Sequence, residues 1–109
     1  MNVSTRMVDQ TPVLELAGEL DISTSQDLER ELTRLERGSP PTLIVDLRAL
    51  TFIDSTGLRT ILAADTRARE RGGRLAVVTG SPSVQRVFEI SRLDQRLTFV
   101  DDPDTVGQR

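Results

Sequence analysis

The sequence predicts an α/β domain: a mixed sheet, its first strand antiparallel and the remaining strands mostly parallel, with helices packed against it. Three observations carry this. Short aliphatic runs alternate with stretches of helical period, in the order strand, strand, helix, strand, helix, strand, helix, strand. Such alternation implies right-handed parallel crossovers, whereas the short turn between the first two strands implies an antiparallel hairpin. The third is the stretch from Leu43 to Leu58, where an apolar strand gives way to a helix within a few residues.

Val3 and Met7-Val8 suggest a short edge strand. Asp9-Gln10-Thr11-Pro12 supplies turn residues, and Pro12 suits a strand's start. Val13, Leu14, Leu16 and Ala17 form the second strand, expected to end at Gly18. Ser23 and Gln26 have capping-box spacing for the first helix. Leu28, Leu32 and Leu35 give it an apolar stripe, while Glu29, Arg30, Glu31, Arg34 and Glu36 read as its solvated face. Gly38 ends it and Pro40-Pro41 prevents its resumption.

Leu43 to Val45 is the core of the central strand. The next helix runs to about Arg71 and stops at Gly72-Gly73, with a buried stripe of Leu58, Ile61, Leu62, Ala64 and Ala68. Asp65 falls in the same arc, either at the stripe's edge or paired with Arg69 at i+4. Ser55 and Arg59 lie off the stripe and are expected at the surface. Leu75 to Val78 is a further buried strand. Ser81 is an N-cap with Pro82 at the first helical position, and Val84, Val87 and Phe88 form that helix's apolar face. It ends near Ile90 to Leu93, and Leu97 to Val100 is the last strand. Residues 101–109 are polar, with Val106 the one sizeable apolar residue, so the expectation is a short polar tail or a frayed helix. No linker or repeat divides residues 1–109, which read as one domain.

At the strand-to-helix junction, Asp54 is the natural N-cap, its carboxylate accepting from free N–H groups of the first turn. Ile53 and Leu58 then have the spacing of a hydrophobic staple. Ser55 and Thr56 occupy the first two helical positions. Gly57 leaves the turn uncovered, so another molecule could approach its backbone. Ser55 thus presents a hydroxyl at the positive end of a helix, which favours a phosphate. An ordinary capped helix start and a regulated hydroxyl are both compatible with this spacing.

Composition narrows the choice. The 109 residues contain no cysteine and no histidine, which removes disulfides, thiolate metal sites and the commonest general base. Ser55 has no Gly-x-Ser-x-Gly elbow around it. An Asp21–Asp54 carboxylate pair reads more simply as turn and cap chemistry. No phosphate-binding loop of the Gly-x-x-x-x-Gly-Lys-Ser/Thr type occurs. Catalysis is not expected, nor any cofactor or metal. The net charge of −3, with both signs interspersed, and three phenylalanines as the only aromatics argue against DNA or RNA binding. Apolar runs are too short to span a bilayer, which points to the cytoplasm.

The run Phe52-Ile53-Asp54-Ser55-Thr56-Gly57-Leu58, after the strand Leu43 to Leu47, resembles the signature of STAS domains, above all the anti-sigma factor antagonists among them. A Gly18-Glu19-Leu20-Asp21 run matches the same group at a separate place. The resemblance implies a STAS fold, a phosphoacceptor at Ser55, and a partner surface of Asp21, Ser23, Asp54, Ser55, Thr56, Gly57 and Leu58. It implies as partners an anti-sigma factor with serine kinase activity, which brings its own ATP and Mg²⁺, and a metal-dependent serine phosphatase. Relatives often carry glycine where Arg92 stands; arginine makes a left-handed cap costlier, so a differently built turn is expected there. Two other readings stand beside this one. The first is a STAS scaffold or accessory subunit of a stress-signalling or lipid-transport complex, using the same loop constitutively. The second is a small-molecule or nucleotide binder.

Overall fold

The computed structural model describes residues 1–106, with side chains through Asp104. Its elements follow the expected order: β1 (Asn2–Val8), β2 (Thr11–Leu20), α1 (Ser25–Glu36), β3 (Thr42–Ile53), α2 (Ser55–Glu70), β4 (Arg74–Val78), α3 (Pro82–Ile90), a 3-10 turn at Leu93–Gln95, β5 (Thr98–Val100) and a four-residue α4 (Pro103–Val106). The remainder of the expected tail lies outside the described residues. No described helix is long and apolar enough to cross a membrane.

The five strands lie in the order β1-β2-β3-β4-β5, with β1 antiparallel to β2 and all later pairs parallel. Asp9 and Gln10 both have positive φ, the backbone of a two-residue hairpin turn between Val8 and Thr11. Sequential strand order with right-handed crossovers puts α1, α2 and α3 on one face. That face holds the main core: Leu14, Leu16, Val45, Leu47 and Val77 from the sheet, with Leu28, Leu32, Ile61, Ala64, Ala68, Val84 and Phe88 from the helices. The alternate strand residues Val13, Ile44, Ala76 and Val78 form a smaller cluster on the other face. Phe88 also meets Phe99 edge-on, centroids 5.3 Å apart, tying α3 to β5.

Several local expectations are corrected. The second strand does not end at Gly18. It continues to Leu20 through two register shifts, because Gly18 takes φ +102° and β3 carries the extra residues opposite. The Ser23–Gln26 capping box does not form: α1 is capped at Thr24 without a side-chain bond, and the Ser23 hydroxyl donates instead to Asp21 Oδ1 at 2.7 Å. Leu62 is half-buried at the edge of the α2 stripe. Asp65, by contrast, is 4% exposed and paired with Arg69 at 3.0 Å. Burial pushes its carboxyl pKa up, against the pull of Arg69 and Arg96. The Arg69 Nη2 in turn donates to the Arg96 carbonyl at 2.7 Å, anchoring the segment before β5. Arg67 donates to Glu29 at 2.9 Å and Glu36 at 3.0 Å, clamping α1 to α2.

The turn after α3 is built as glycine would build it. Arg92 sits at φ +61°, ψ +19°, in the left-handed region, with its N–H donating to Glu89 O at 3.0 Å. The strain is accepted because Leu93 and Leu97 must return to the core. Arg92→Gly removes about 1 kcal/mol of left-handed strain. It should therefore raise the melting temperature by about 4 °C; an unchanged or lower value in a thermal melt would refute a strained turn.

Candidate functional site

Parallel strands deliver their C-terminal ends to one edge of the sheet. There the β2–α1 loop and the β3–α2 junction meet. The link between them is Asp54. Its Oδ1 accepts from the Gly57 N–H at 3.0 Å, capping α2, while its Oδ2 accepts from the Ile22 N–H at 3.2 Å in the neighbouring loop. The Asp54 N–H donates to the Leu20 carbonyl at 3.1 Å. Below it, Ile53 and Leu58 are 3% and 4% exposed within the main core, as a staple requires.

The second loop is organised by Asp21. Its Oδ1 accepts from the Ser23 N–H at 3.0 Å, the Ser23 hydroxyl and the Thr24 N–H at 3.1 Å. The Ser23 hydroxyl, followed by Thr24, holds the Asp21 carboxyl below its ordinary pKa. Thr24 Oγ1 donates to the Glu19 carbonyl at 2.8 Å and accepts from the Asp21 N–H at 2.9 Å. The first amides of α1 close on the Asp21 carbonyl, with Ser25 N–H at 2.8 Å. Asp21 and Asp54 thus each accept from backbone donors, and no hydrogen bond joins the two carboxylates.

Ser55 stands at the first position of α2, exposed, and its hydroxyl bonds to no described residue. Thr56 is half-buried and lies 3.5 Å from Arg59 Nη2. Ser23 is exposed, and Asp21 and Asp54 are half-buried. Gly57 and Leu58 do not join this surface. A Cβ on Gly57 would lie 2.7 Å from Leu20 Cγ and 3.0 Å from Ile53 Cγ1, so its bare backbone admits the core rather than an outside molecule. Leu58 is buried in that same core.

Two residues that the sequence reading missed flank the site. Ile22 is 75% exposed, and Phe52, beside Glu19 at the end of β3, is 49% exposed. Ile22 carried one legible signal: an aliphatic side chain inside an otherwise polar loop has no periodic role to fill. Among the described residues no cluster of three or more His, Cys, Asp or Glu gathers to hold a metal.

Fold and site together define a class: a small α/β domain whose strand ends present, at the head of a capped helix, an exposed hydroxyl bonded to no described residue. The chain belongs to the STAS domain family, since the family model described as "Mlab, STAS domain" matches residues 3–101. An anti-sigma F factor antagonist from Paenibacillus polymyxa is 30% identical over 105 residues, covering 94% of this chain and 90% of its own. An anti-sigma factor antagonist from Mycobacterium paratuberculosis has the same fold, with a TM-score of 0.86 at 27% identity over 95% of this chain and 88% of its own. The anti-sigma factor antagonist SpoIIAA in its unphosphorylated form gives a TM-score of 0.79 at 25% identity, over 96% of this chain and 93% of its own.

Removing the Asp54 carboxylate should cost about 0.5–2 kcal/mol as a lost cap. Asp54→Ala should also release the Ile22 amide to rapid hydrogen exchange, whereas a still-protected amide would mean that the loops are joined otherwise. Gly57→Ala should destabilise despite its better helix propensity, because overpacking costs about 1–3 kcal/mol against a gain of about 1 kcal/mol. A higher melting temperature for that variant would refute the close packing of Leu20.

Proposed function

We propose that this chain is an anti-sigma factor antagonist controlled by phosphorylation at Ser55. Unphosphorylated, it binds an anti-sigma factor that is also a serine kinase, and the sigma factor held by that partner is released. Phosphorylation of Ser55 ends the binding, and a metal-dependent serine phosphatase restores it. Asp21, Ser23, Asp54, Ser55 and Thr56 contribute the polar contacts, and Ile22 and Phe52 the apolar ones. The observation that carries this reading is the Ser55 hydroxyl itself, exposed at the head of α2 and bonded to no described residue, while Asp54 beside it holds the Gly57 and Ile22 amides. Family membership and the names of the relatives support it.

The chemistry asked of this chain is small. The Ser55 oxygen attacks the γ-phosphorus of kinase-bound ATP, a new O–P bond forms, the bond to the β-phosphate bridging oxygen breaks, and ADP leaves. The hydroxyl proton goes to a base on the kinase, because no described residue here is bonded to that hydroxyl. ATP and Mg²⁺ belong to the partner, so the chain needs no cofactor of its own.

Phosphate adds a charge of about −1.5 to −2. In the free domain the α2 N-terminus offsets part of it. Against a bound partner, desolvation and the neighbouring carboxylates turn the same charge into a penalty, and about 2.8 kcal/mol suffices for a hundredfold loss of affinity.

Incubation with a candidate anti-sigma kinase and ATP, followed by mass mapping, tests the assignment. Ser55→Ala should fold normally, bind and accept no phosphate; full labelling of that variant would place the acceptor elsewhere. Ser55→Asp should weaken binding with a nearly unchanged melting temperature, and a large drop in that temperature would mark Ser55 as structural.

A further inference from the structure

The outward face of α2 continues from Ser55. Residues 55, 59, 62, 63 and 66 share one side of the helix, a row of roughly 16 Å at 1.5 Å per residue. Beyond Ser55 this row opens into a shallow cleft of about 520 Å³, lined by Arg59, Leu62, Ala63, Thr66, Arg67 and Arg96. Its floor is aliphatic, and its rim holds three arginines and no carboxylate. Arg67 is already neutralised by Glu29 and Glu36. Arg59 and Arg96 are exposed and make no ion pair with a described residue. A cationic cleft on a chain of net charge −3 is a local departure from the rest of its surface.

We infer that this cleft is part of the partner interface and receives an acidic, amphipathic helical segment of the anti-sigma kinase; the inference rests on the function proposed above. Charge complementarity selects the occupant. Two exposed guanidinium groups beside Leu62 and Ala63 suit a helix with glutamates or aspartates along one edge and aliphatic side chains beneath. A nucleic acid would want a longer track of unpaired cations and a stacking aromatic, and the cleft offers neither. The row is about three turns long, the span of a short recognition helix. It is also continuous with the Ser55 surface, so one partner can cover both.

The arrangement gives the switch a second arm. A phosphate on Ser55 stands at the head of the row, where it repels an acidic segment. It also lies four residues before Arg59, the favoured order for an i, i+4 pair, and Arg59 already folds back to within 3.5 Å of Thr56 Oγ1. Phosphorylation therefore adds the wrong charge and removes one of the cations that the partner uses.

The test measures binding of the 109-residue chain to a purified anti-sigma kinase by calorimetry in ADP. Arg59→Glu and Arg96→Glu should each weaken binding roughly tenfold, Arg59→Glu with a wild-type melting temperature and Arg96→Glu with a lower one because it faces buried Asp65, and the double variant should weaken binding further. Ala63→Trp should do the same by filling the floor without a change of charge. Arg37→Glu, the same charge change at the exposed C-cap of α1 and outside the cleft lining, should bind within about twofold of wild type. If the wild type binds and is released by phosphorylation while the Arg59, Arg96 and Ala63 variants bind equally well, the cleft inference is wrong and the Ser55 reading stands. If Arg37→Glu loses as much as Arg96→Glu, net charge rather than the cleft is responsible and the inference also falls. If the wild type binds no anti-sigma kinase, the functional reading fails and takes this one with it.

Discussion

The two-sided carboxylate of Asp54 is the constraint on which the site depends. One oxygen caps α2 and the other holds the Ile22 amide, so a single side chain fixes the start of a helix and the position of the loop beside it. Its own N–H is taken by Leu20 O, so the residue cannot rotate away without breaking three bonds. Gly57 makes this possible from beneath, since only a residue without a Cβ lets Leu20 and Ile53 pack under the first turn. The Ser55 hydroxyl is exposed because everything next to it is committed: Asp54 to two amides, Gly57 and Leu58 to the core. A rigid frame with one uncommitted group is the geometry that a modifying enzyme and a binding partner can share.

Much of this was legible in the sequence because it is decided locally. The Asp54 cap, the Ile53–Leu58 staple and the change from strand to helical period involve residues within one turn of each other. The same holds for Ser81 and Pro82, where the Ser81 hydroxyl does accept from Val84 N–H. What failed was decided at a distance or by competition. Gly57 looked open because a bare glycine before a helix has the same local appearance whether the visitor comes from outside or inside; only Leu20, far off in the chain, decides. Ser23 looked like a cap because its spacing to Gln26 is right, but the Asp21 carboxylate takes both the Ser23 amide and the Ser23 hydroxyl. Gly18 looked like a strand end, whereas its positive φ lets β2 pass a bulge and reach Leu20, the residue that needs Gly57. Ile22 and Phe52 were passed over because an isolated apolar side chain on a loop or strand end belongs to no period.

Arg92 is a different lesson. A local preference argued for a changed turn, and the fold kept the turn and accepted the strain. The return of Leu93 and Leu97 to the core requires the left-handed step, and their burial outweighs a cost of about 1–2 kcal/mol. Tertiary packing overrides propensity where the alternative would expose two leucines.

The carboxylates at the site bear on how a switch of this kind can act without refolding. Both oxygens of Asp54 and the Oδ1 of Asp21 are already occupied by backbone donors. A charge whose hydrogen bonds are spent still repels at Coulomb range and offers a partner less to replace the water it would strip away. A phosphate introduced among such groups is tolerable in the free domain, where solvent screens it and the helix N-terminus faces it. In an interface both reliefs weaken: water is gone and the effective dielectric is lower, so the interaction that was mild becomes strong. Under the function proposed above, the discrimination between two states would thus come from the surroundings that the partner creates. It would require of this chain only that the head of α2 be fixed, and the Asp54 bonds fix it.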